Sequence, residues 1–134
     1  MAAQIPDSHK DLFDKKTIAY LAVHLKDQRI MVNPVWCSLD GGDVLINSAK
    51  GRAKDRIMRG NPSVTLCITD PDAVFRYLEV RGRVTNITTD GADAHIDQMA
   101  KRYLGQDTYP FRRPGEERVM YRIQPDEVKS MSME

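Results

Sequence analysis

The sequence predicts a mainly β protein with small helices, folded as a closed or nearly closed antiparallel barrel of six strands. Short runs rich in Val, Ile, Thr and Tyr recur along the 134 residues, with turn residues between them. The turn Asp40-Gly41-Gly42 is a strong hairpin signal, because glycine readily adopts the positive φ of tight hairpins. Helical periodicity is clearest over Ala92–Leu104, and Gly105 is expected to end that helix.

The individual elements follow in chain order. A short first helix is expected near residue 8, capped by Asp7 or Ser8. The six predicted strands cover residues 17–25, 29–39, 43–47, 63–69, 75–88 and part of 118–131. Pro34 has no N–H to give, so it predicts an edge strand, a bulge, or a place where something other than a strand lies alongside. Gly82 predicts a bend or a close backbone approach in the fifth strand.

The composition predicts one soluble domain spanning residues 1–134, with 41% hydrophobic and 29% charged residues. No run reaches the roughly 18 apolar residues that a membrane span needs. The polar start of the chain has no apolar signal-peptide core, so a cytoplasmic location is expected. Cys37 and Cys67 lie in apolar runs and are interpreted as buried thiols. The histidines lack metal-ligand spacing, and no metal site is predicted.

The strongest functional signal is the basic segment at residues 47–62, NSAKGRAKDRIMRGNP. It holds five cations against the single anion Asp55, although the whole chain has a net charge of +1. These cations are Lys50, Arg52, Lys54, Arg56 and Arg59. The segment follows a predicted strand and turns into a short helix, whose free N–H groups and dipole favour anions. Gly51 permits close approach and Ser48 adds a hydroxyl, so a site for one compact phosphate is expected.

A solvated basic helix is the alternative interpretation of this segment. In that case Asp55 pairs with Arg59 or Arg52 on the helix surface. That pairing explains one cation and leaves four unexplained, which favours anion binding. With either interpretation, the helix is expected to pack on the barrel through the stripe Ala53, Ile57 and Gly60.

Several classes of phosphate site are disfavoured. The segment lacks the GK[ST] of a Walker A loop, and no G-x-G-x-x-G follows a strand. A small nucleic-acid-binding barrel remains a hypothesis, but the chain outside the basic segment is net negative, whereas nucleic-acid footprints usually cover more surface. No nucleic-acid partner is therefore expected.

The basic segment resembles a known family. It reads SAKGRAKDR from Ser48 and RGNP from Arg59, which is similar to the phosphate-binding segment of the split β-barrel flavin and deazaflavin oxidoreductases related to pyridoxamine 5′-phosphate oxidase. The element Pro34-Val35-Trp36 resembles the P-x-W of the branch that uses coenzyme F420. Ala53 departs from the lysine often found there. The resemblance implies an FMN-binding type of split barrel and a homodimer with the cofactor in a groove between protomers.

The resemblance also implies where the cofactor binds. The ring would lie against the second and third predicted strands, and the phosphate would enter the basic segment. The implied cofactor-binding residues are Pro34, Val35, Trp36, Ile46, Asn47, Ser48, Ala49, Lys50, Gly51, Arg52, Lys54 and Arg56. Lys54 and Arg56 are candidates for the oligoglutamate tail of F420. Trp36 is equally well interpreted as a core residue, and no catalytic residue is predicted.

The implied function is hydride transfer between F420 and an unsaturated or conjugated small molecule, with the chemistry supplied by the deazaflavin. FMN shares the phosphate and a similar ring, and is the alternative cofactor. A non-catalytic carrier of F420, FMN or a tetrapyrrole is a further hypothesis, because a ring-binding groove would look the same in sequence.

Overall fold

The computed structural model describes residues 3–132, and within them seven strands form one antiparallel sheet. The strands are β1 (Ala19–His24), β2 (Ile30–Val35), β3 (Cys37–Asp40), β4 (Asp43–Ala49), β5 (Ser63–Asp70), β6 (Ala73–Thr88) and β7 (Arg118–Met131). The helices are a 3-10 helix at Asp7–Phe13, α1 (Ala53–Gly60) and α2 (Ala92–Leu104). The predicted mainly β architecture with small helices is confirmed.

The order of strands explains how the sheet closes. The sheet runs β2-β1-β5-β6-β7-β4-β3, so β2 and β3 lie at its opposite edges. In the chain these two strands are separated by Trp36 alone. Because two Cα–Cα steps span at most about 7 Å, the two edges must approach each other at Trp36. The sheet therefore curls into a barrel whose seam is at this residue.

The prediction of six strands was wrong by one. Residues 29–39 look like a single strand in sequence, but the chain changes partner in the middle of them. Val35 pairs with Ala19 of β1, whereas Cys37 pairs with Ile46 of β4. Since β1 and β4 lie far apart in the strand order, the run is divided at Trp36 into β2 and β3.

Two strand residues behave as predicted. Pro34 lies on β2, an edge strand, where its missing N–H costs little. Gly82 lies at an irregularity in the pairing of β6 with β7, and a Cβ there would come 2.1 Å from the backbone oxygen of Gln124. Gly82 is therefore required by a close approach of two strands.

The core fills the barrel with alternate side chains of its strands. Along β5, buried and more exposed residues alternate from Ser63 to Asp70, as expected for a strand with one face inward. A second apolar cluster lies under α2, on the outside of the sheet, and consists of Ile96, Met99 and Tyr103 with Ile18, Trp36 and Tyr109 packed against it. The outer cluster fixes α2 beside the seam.

The first helix differs from its prediction. It is a 3-10 helix, and neither Asp7 nor Ser8 caps it through a side chain. The helix is held by two core side chains, Leu12 and Phe13, and by an ion-pair group. We call this group the Asp70 cluster; it is formed by Asp11, Lys15, Asp70, Asp72 and Arg76. Arg76 reaches Asp70 at 2.8 Å and Asp11 at 2.7 Å, which ties the helix to the β5–β6 hairpin. The backbone N–H of Asp72, then Arg76 and Lys15, lower the pKa of Asp70 to about 2.

The helices of residues 3–132 are all too short or too polar to cross a membrane. Both cysteines are free thiols; Cys37 is buried and Cys67 is partly exposed.

Candidate functional site

A cleft of about 330 Å³ lies where the seam, the start of α1 and the buried side of α2 meet. Six residues predicted from the sequence line it, namely Pro34, Val35, Trp36, Asn47, Arg52 and Lys54. Five further lining residues were not predicted, namely Ile18, Ile96, Tyr109, Phe111 and Arg118. The structure thus brings the P-x-W element and two of the five cations of the basic segment to one place.

The other six predicted residues lie around this cleft or away from it. Ile46 and Ser48 are buried, because alternation along β4 turns them into the barrel while Asn47 faces outward. The Ser48 hydroxyl has no hydrogen-bond partner among the described residues. Ala49 is buried at the end of β4, and Lys50 and Gly51 form the exposed turn that follows.

Arg56 lies in a different depression. A groove of about 860 Å³ separates α1 from the turn between β1 and β2, and Arg56 lines it together with Lys26 and Arg29. No Phe, Tyr or Trp among the described residues lines this larger groove. The smaller cleft, which combines aromatic and cationic side chains, is therefore the better candidate for a ring-bearing anion.

The basic segment is arranged differently from its predicted packing. Ala53 and Gly60 are exposed, and α1 packs on the barrel through Met58, Asp55 and the partly buried Ile57. Asp55 is 2% exposed and pairs with Arg59 at 3.0 Å, one of the two partners foreseen for it. The stripe prediction was therefore wrong for Ala53 and Gly60 and right for Ile57.

Three cations line the cleft, and two of them share one carboxylate. The Arg118 side chain is 3% exposed, and its Nη1 lies 3.2 Å from Oε1 of Glu116. Arg52 reaches the same oxygen at 3.0 Å. Lys54 forms no ion pair within residues 3–132. Burial lowers the pKa of Lys54, and the positive charges of Arg52 and Arg118 lower it further.

This donor set fits a phosphate. Two guanidinium groups and an ammonium supply charge-assisted donors, and a bound anion would relieve the repulsion among them. The turn has fewer free backbone N–H groups than the sequence predicts. The N–H of Lys50 donates to the Glu117 carbonyl and that of Gly51 to the Asp55 carboxylate, each at 2.9 Å. Side chains and the first turn of α1 are left to bind an anion.

An aromatic wall borders the cationic end. Trp36 stacks on Tyr103 with ring centres 4.8 Å apart and 7° between the planes. Tyr109 meets Trp36 edge-on at 6.2 Å, and Phe111 meets Tyr109 edge-on at 5.7 Å. Arg118 lies 5.0 Å from the centre of the Tyr109 ring. Trp36 thus packs in the outer cluster and also lines the cleft, which is compatible with both of its predicted roles, as a core residue and as a cofactor-binding residue.

A buried polar chain leads from the cleft into the protein. Nε of Arg118 donates to Oδ1 of Asn47 at 2.9 Å, and Nδ2 of Asn47 lies 2.9 Å from the Ala92 carbonyl and 3.1 Å from Nδ1 of His95. Because Arg118 can only donate and the carbonyl can only accept, the Asn47 amide has one orientation. His95 therefore accepts at Nδ1 and donates from Nε2 to Ser38 at 2.9 Å.

This chain requires a neutral imidazole. Burial lowers the pKa of His95 to about 4, and the charges of Arg102 and Arg118 act in the same direction. His95 consequently holds its single proton at Nε2 at neutral pH and fixes Asn47, which in turn fixes Arg118.

The loop at residues 106–117 carries the exposed part of the aromatic wall. Asp97 of α2 accepts from the backbone N–H of Tyr109 at 2.9 Å and from Arg112 at 2.7 Å. Arg112 also reaches Asp93 at 2.6 Å. Two carboxylates on one face of α2 thus hold the loop beside the cleft.

The sequence contained a partial signal for the residues that were missed. Aromatic and basic residues cluster at Tyr109-Pro110-Phe111-Arg112-Arg113, within a loop at residues 106–115 that the sequence marks as a possible pocket wall but whose shape it does not predict. Arg118 had no such signal, because its position depends on the pairing of β7 with β4, where it faces Ala49.

The fold and the cleft define a split β-barrel of the flavin and deazaflavin oxidoreductase type. A family model described as pyridoxamine 5′-phosphate oxidase matches residues 5–132. The chain therefore belongs to the pyridoxamine 5′-phosphate oxidase family.

Solved structures share this fold. An F420 reductase is similar at 29% identity and a TM-score of 0.80, over 93% of this chain and 98% of that one. A conserved hypothetical protein from Mycobacterium tuberculosis shares the fold at 16% identity and a TM-score of 0.71, over 96% and 85%. HupZ from Group A Streptococcus does so at 17% identity and 0.67, over 96% and 94%. No curated protein matches the sequence.

Proposed function

We propose that the protein is an F420-dependent oxidoreductase that transfers hydride between the deazaflavin and an unsaturated or conjugated small molecule. The observation that carries this proposal is a cleft in which three cations adjoin an aromatic wall. Such a site suits a flat ring joined to a phosphate. The similarity to an F420 reductase supports the choice of cofactor.

The chain's own residues would bind and orient the cofactor, which supplies the hydride chemistry when bound. Arg52, Lys54 and Arg118 would hold the phosphate. Pro34, Val35 and Trp36 would border the ring, and Asn47 would keep Arg118 in place. Ile18 and Ile96 would exclude water from the ring.

Of the remaining predicted residues, Lys50 and Gly51 would shape the phosphate turn, supported from inside the barrel by Ile46, Ser48 and Ala49. Arg56, in the groove beyond α1, would meet an oligoglutamate tail that leaves the cleft.

FMN is the alternative cofactor. All three cleft cations can serve one phosphate, which FMN and F420 share, and Arg56 lies outside the cleft. A carrier that holds F420, FMN or a tetrapyrrole without turnover would use the same cleft.

We propose a homodimer with the cofactor in a groove between protomers. Large apolar side chains are exposed on the outer face of β1 and β2, among them Tyr20, Ile30 and Val32, the last 57% exposed. Pro34 lies on the same face of β2 and also lines the cleft. A second copy packed on this face would cover the apolar residues and deepen the cleft. The free thiols fit the cytoplasmic location that we also propose.

Ligand titration tests the cofactor. Purified protein is titrated with F420 and with FMN, and binding is followed by ligand fluorescence. We expect F420 to bind more tightly, and tighter FMN binding would overturn the assignment. Consumption of reduced F420 in the presence of conjugated enones or quinones then separates an enzyme from a carrier.

Sedimentation tests the dimer. We expect a mass near twice 15.2 kDa at micromolar concentration and a monomer for Val32→Lys. Ser63→Lys, an exposed substitution on β5, serves as the control. A monomeric wild type would contradict the groove between protomers.

A further inference from the structure

Asp55 is the one anion of the basic segment, and it is buried rather than solvated. Its Oδ2 accepts the backbone N–H of Gly51 at 2.9 Å, and its Oδ1 accepts the Tyr121 hydroxyl at 2.5 Å. Arg59 donates to both oxygens, at 3.0 and 3.1 Å. The carboxylate is therefore saturated with donors from three places in the chain.

These donors belong to three elements that shape the cleft. Gly51 lies in the turn between β4 and α1 and has a φ of +90°, a conformation that glycine adopts readily and other residues rarely do. Arg59 lies in the last turn of α1. Tyr121 lies on β7, fully buried in the barrel wall. Asp55 joins the turn, the helix and the barrel at one point.

A carboxylate in this position works against an anion site by charge alone. Any anion bound by Arg52 and Lys54 is repelled by it, because Asp55 immediately follows Lys54 in the chain. Its presence is explained if the geometry that it imposes on the turn contributes more than its charge costs.

We infer that Asp55, held by Tyr121, positions the turn at residues 50–52 and the start of α1, so that Arg52 and Lys54 face the cleft. Asp55 is thus a positioning residue for phosphate recognition. The inference rests on the proposed function, in which this cleft holds the phosphate of the cofactor.

Substitution of Asp55 by asparagine distinguishes a positioning role from an effect of charge alone, because the two predict opposite changes in anion affinity. Asp55→Asn removes a negative charge, so electrostatics alone predicts tighter anion binding. The amide also turns an acceptor into a donor that would face the donors Gly51 N–H or Arg59. If Asp55 positions the turn, anion binding becomes weaker despite the more favourable charge.

The probes are FMN and riboflavin, which differ by the phosphate alone. The ratio of FMN affinity to riboflavin affinity, measured by fluorescence quenching at fixed salt, isolates phosphate recognition from ring binding. We expect Asp55→Asn to lower the ratio by about 5- to 20-fold, which corresponds to the weakening of about one charge-assisted hydrogen bond. Riboflavin affinity should change less than about 2-fold.

A matched control is available elsewhere in the barrel. Asp70 is 4% exposed and is also saturated with donors, but it lies in the Asp70 cluster, away from the cleft. Asp70→Asn should lower the melting temperature and leave the ratio unchanged. A ratio that falls equally in both variants would mean general loss of structure and would overturn the inference.

The remaining outcomes are distinct. If the wild type shows no preference for FMN over riboflavin, the phosphate site of the proposed function fails. If the wild type prefers FMN and Asp55→Asn keeps or increases the ratio, the positioning role fails. Should Asp55→Asn not fold, Tyr121→Phe decides, since it changes no charge; we expect the ratio to fall by about 2- to 5-fold, and an unchanged ratio overturns the inference.

Discussion

In the Asp70 cluster three carboxylates surround two cations, whereas of the three cations in the cleft two share Glu116 and Lys54 forms no ion pair among the described residues. Both groups are partly buried, and both join distant parts of the chain. The pKa of Asp70 is lowered, which means that its surroundings favour its charge. The pKa values of Lys54 and Arg118 are also lowered, which for cations means that their charge is disfavoured.

The difference separates a structural charge cluster from a binding one. The Asp70 cluster is complete within the protein and fastens the 3-10 helix to the barrel. The cleft holds positive charge at a cost in stability, which a bound anion would repay. Substitutions in the first should therefore change stability, and substitutions in the second should change ligand affinity.

The largest effect is expected for Asp70→Asn. Removing this carboxylate leaves Lys15 and Arg76 without their buried partner and should lower the free energy of unfolding by about 3 kcal/mol. Urea denaturation measures it, and FMN titration of the folded protein should show no change. A loss of stability below about 1 kcal/mol would show that the cluster does not anchor the first helix.

As the pH falls, the contribution of His95 to the stability of the protein should be lost before that of Asp70. The pKa of His95 is lowered from 6.5 to about 4, so the unfolded chain takes up its proton first and stability falls as pH drops from 6.5 towards 4. The full effect is about 3 kcal/mol. The pKa of Asp70 is lowered from 3.8 to about 2, so its contribution is lost between those values.

Urea denaturation at a series of pH values separates the two windows. In His95→Gln the amide can still donate to Ser38, and the slope between pH 6.5 and 4 should diminish. An unchanged slope would show that His95 is not the group responsible.

Part of this contrast between the two charge clusters could be predicted from the sequence, and part of it could not. The basic segment was found because five cations lie close together in the chain, and the seam was partly signalled by Pro34. The Asp70 cluster and Arg118 depend on contacts between distant residues, such as Lys15 with Asp70, that no local pattern encodes. The seventh strand was missed because a change of sheet edge at Trp36 leaves no break in β propensity.

A moderate effect on cofactor binding is expected for the cleft cations. Arg52→Ala and Lys54→Ala should each weaken FMN and F420 by about 1.5–3 kcal/mol, the scale of a charge-assisted hydrogen bond. Lys50→Ala is the comparison. Because Lys50 is exposed and its ammonium lies 3.8 Å from the Glu117 carboxylate, this substitution should weaken cofactor binding by about 1 kcal/mol or less. Equal losses at all three positions would move the phosphate towards the turn.

The smallest effect is expected for Arg56→Gln. This exposed residue should contribute about 0.5–1 kcal/mol to F420 through the tail and nothing to FMN. The difference should shrink with added salt, because exposed charges are screened over about 8–10 Å. Arg83→Gln, an exposed cation on β6, is the control. Equal losses for both cofactors would place Arg56 at the phosphate.

The single residue between β2 and β3 has a mechanical consequence. Because Trp36 joins the two outermost strands of the sheet, local opening of either edge must displace its ring from Tyr103. A ligand resting against that ring would hinder this displacement. Amide hydrogen exchange should then slow in β2 and in β3 together on ligand binding, although five other strands separate them in the order of the sheet.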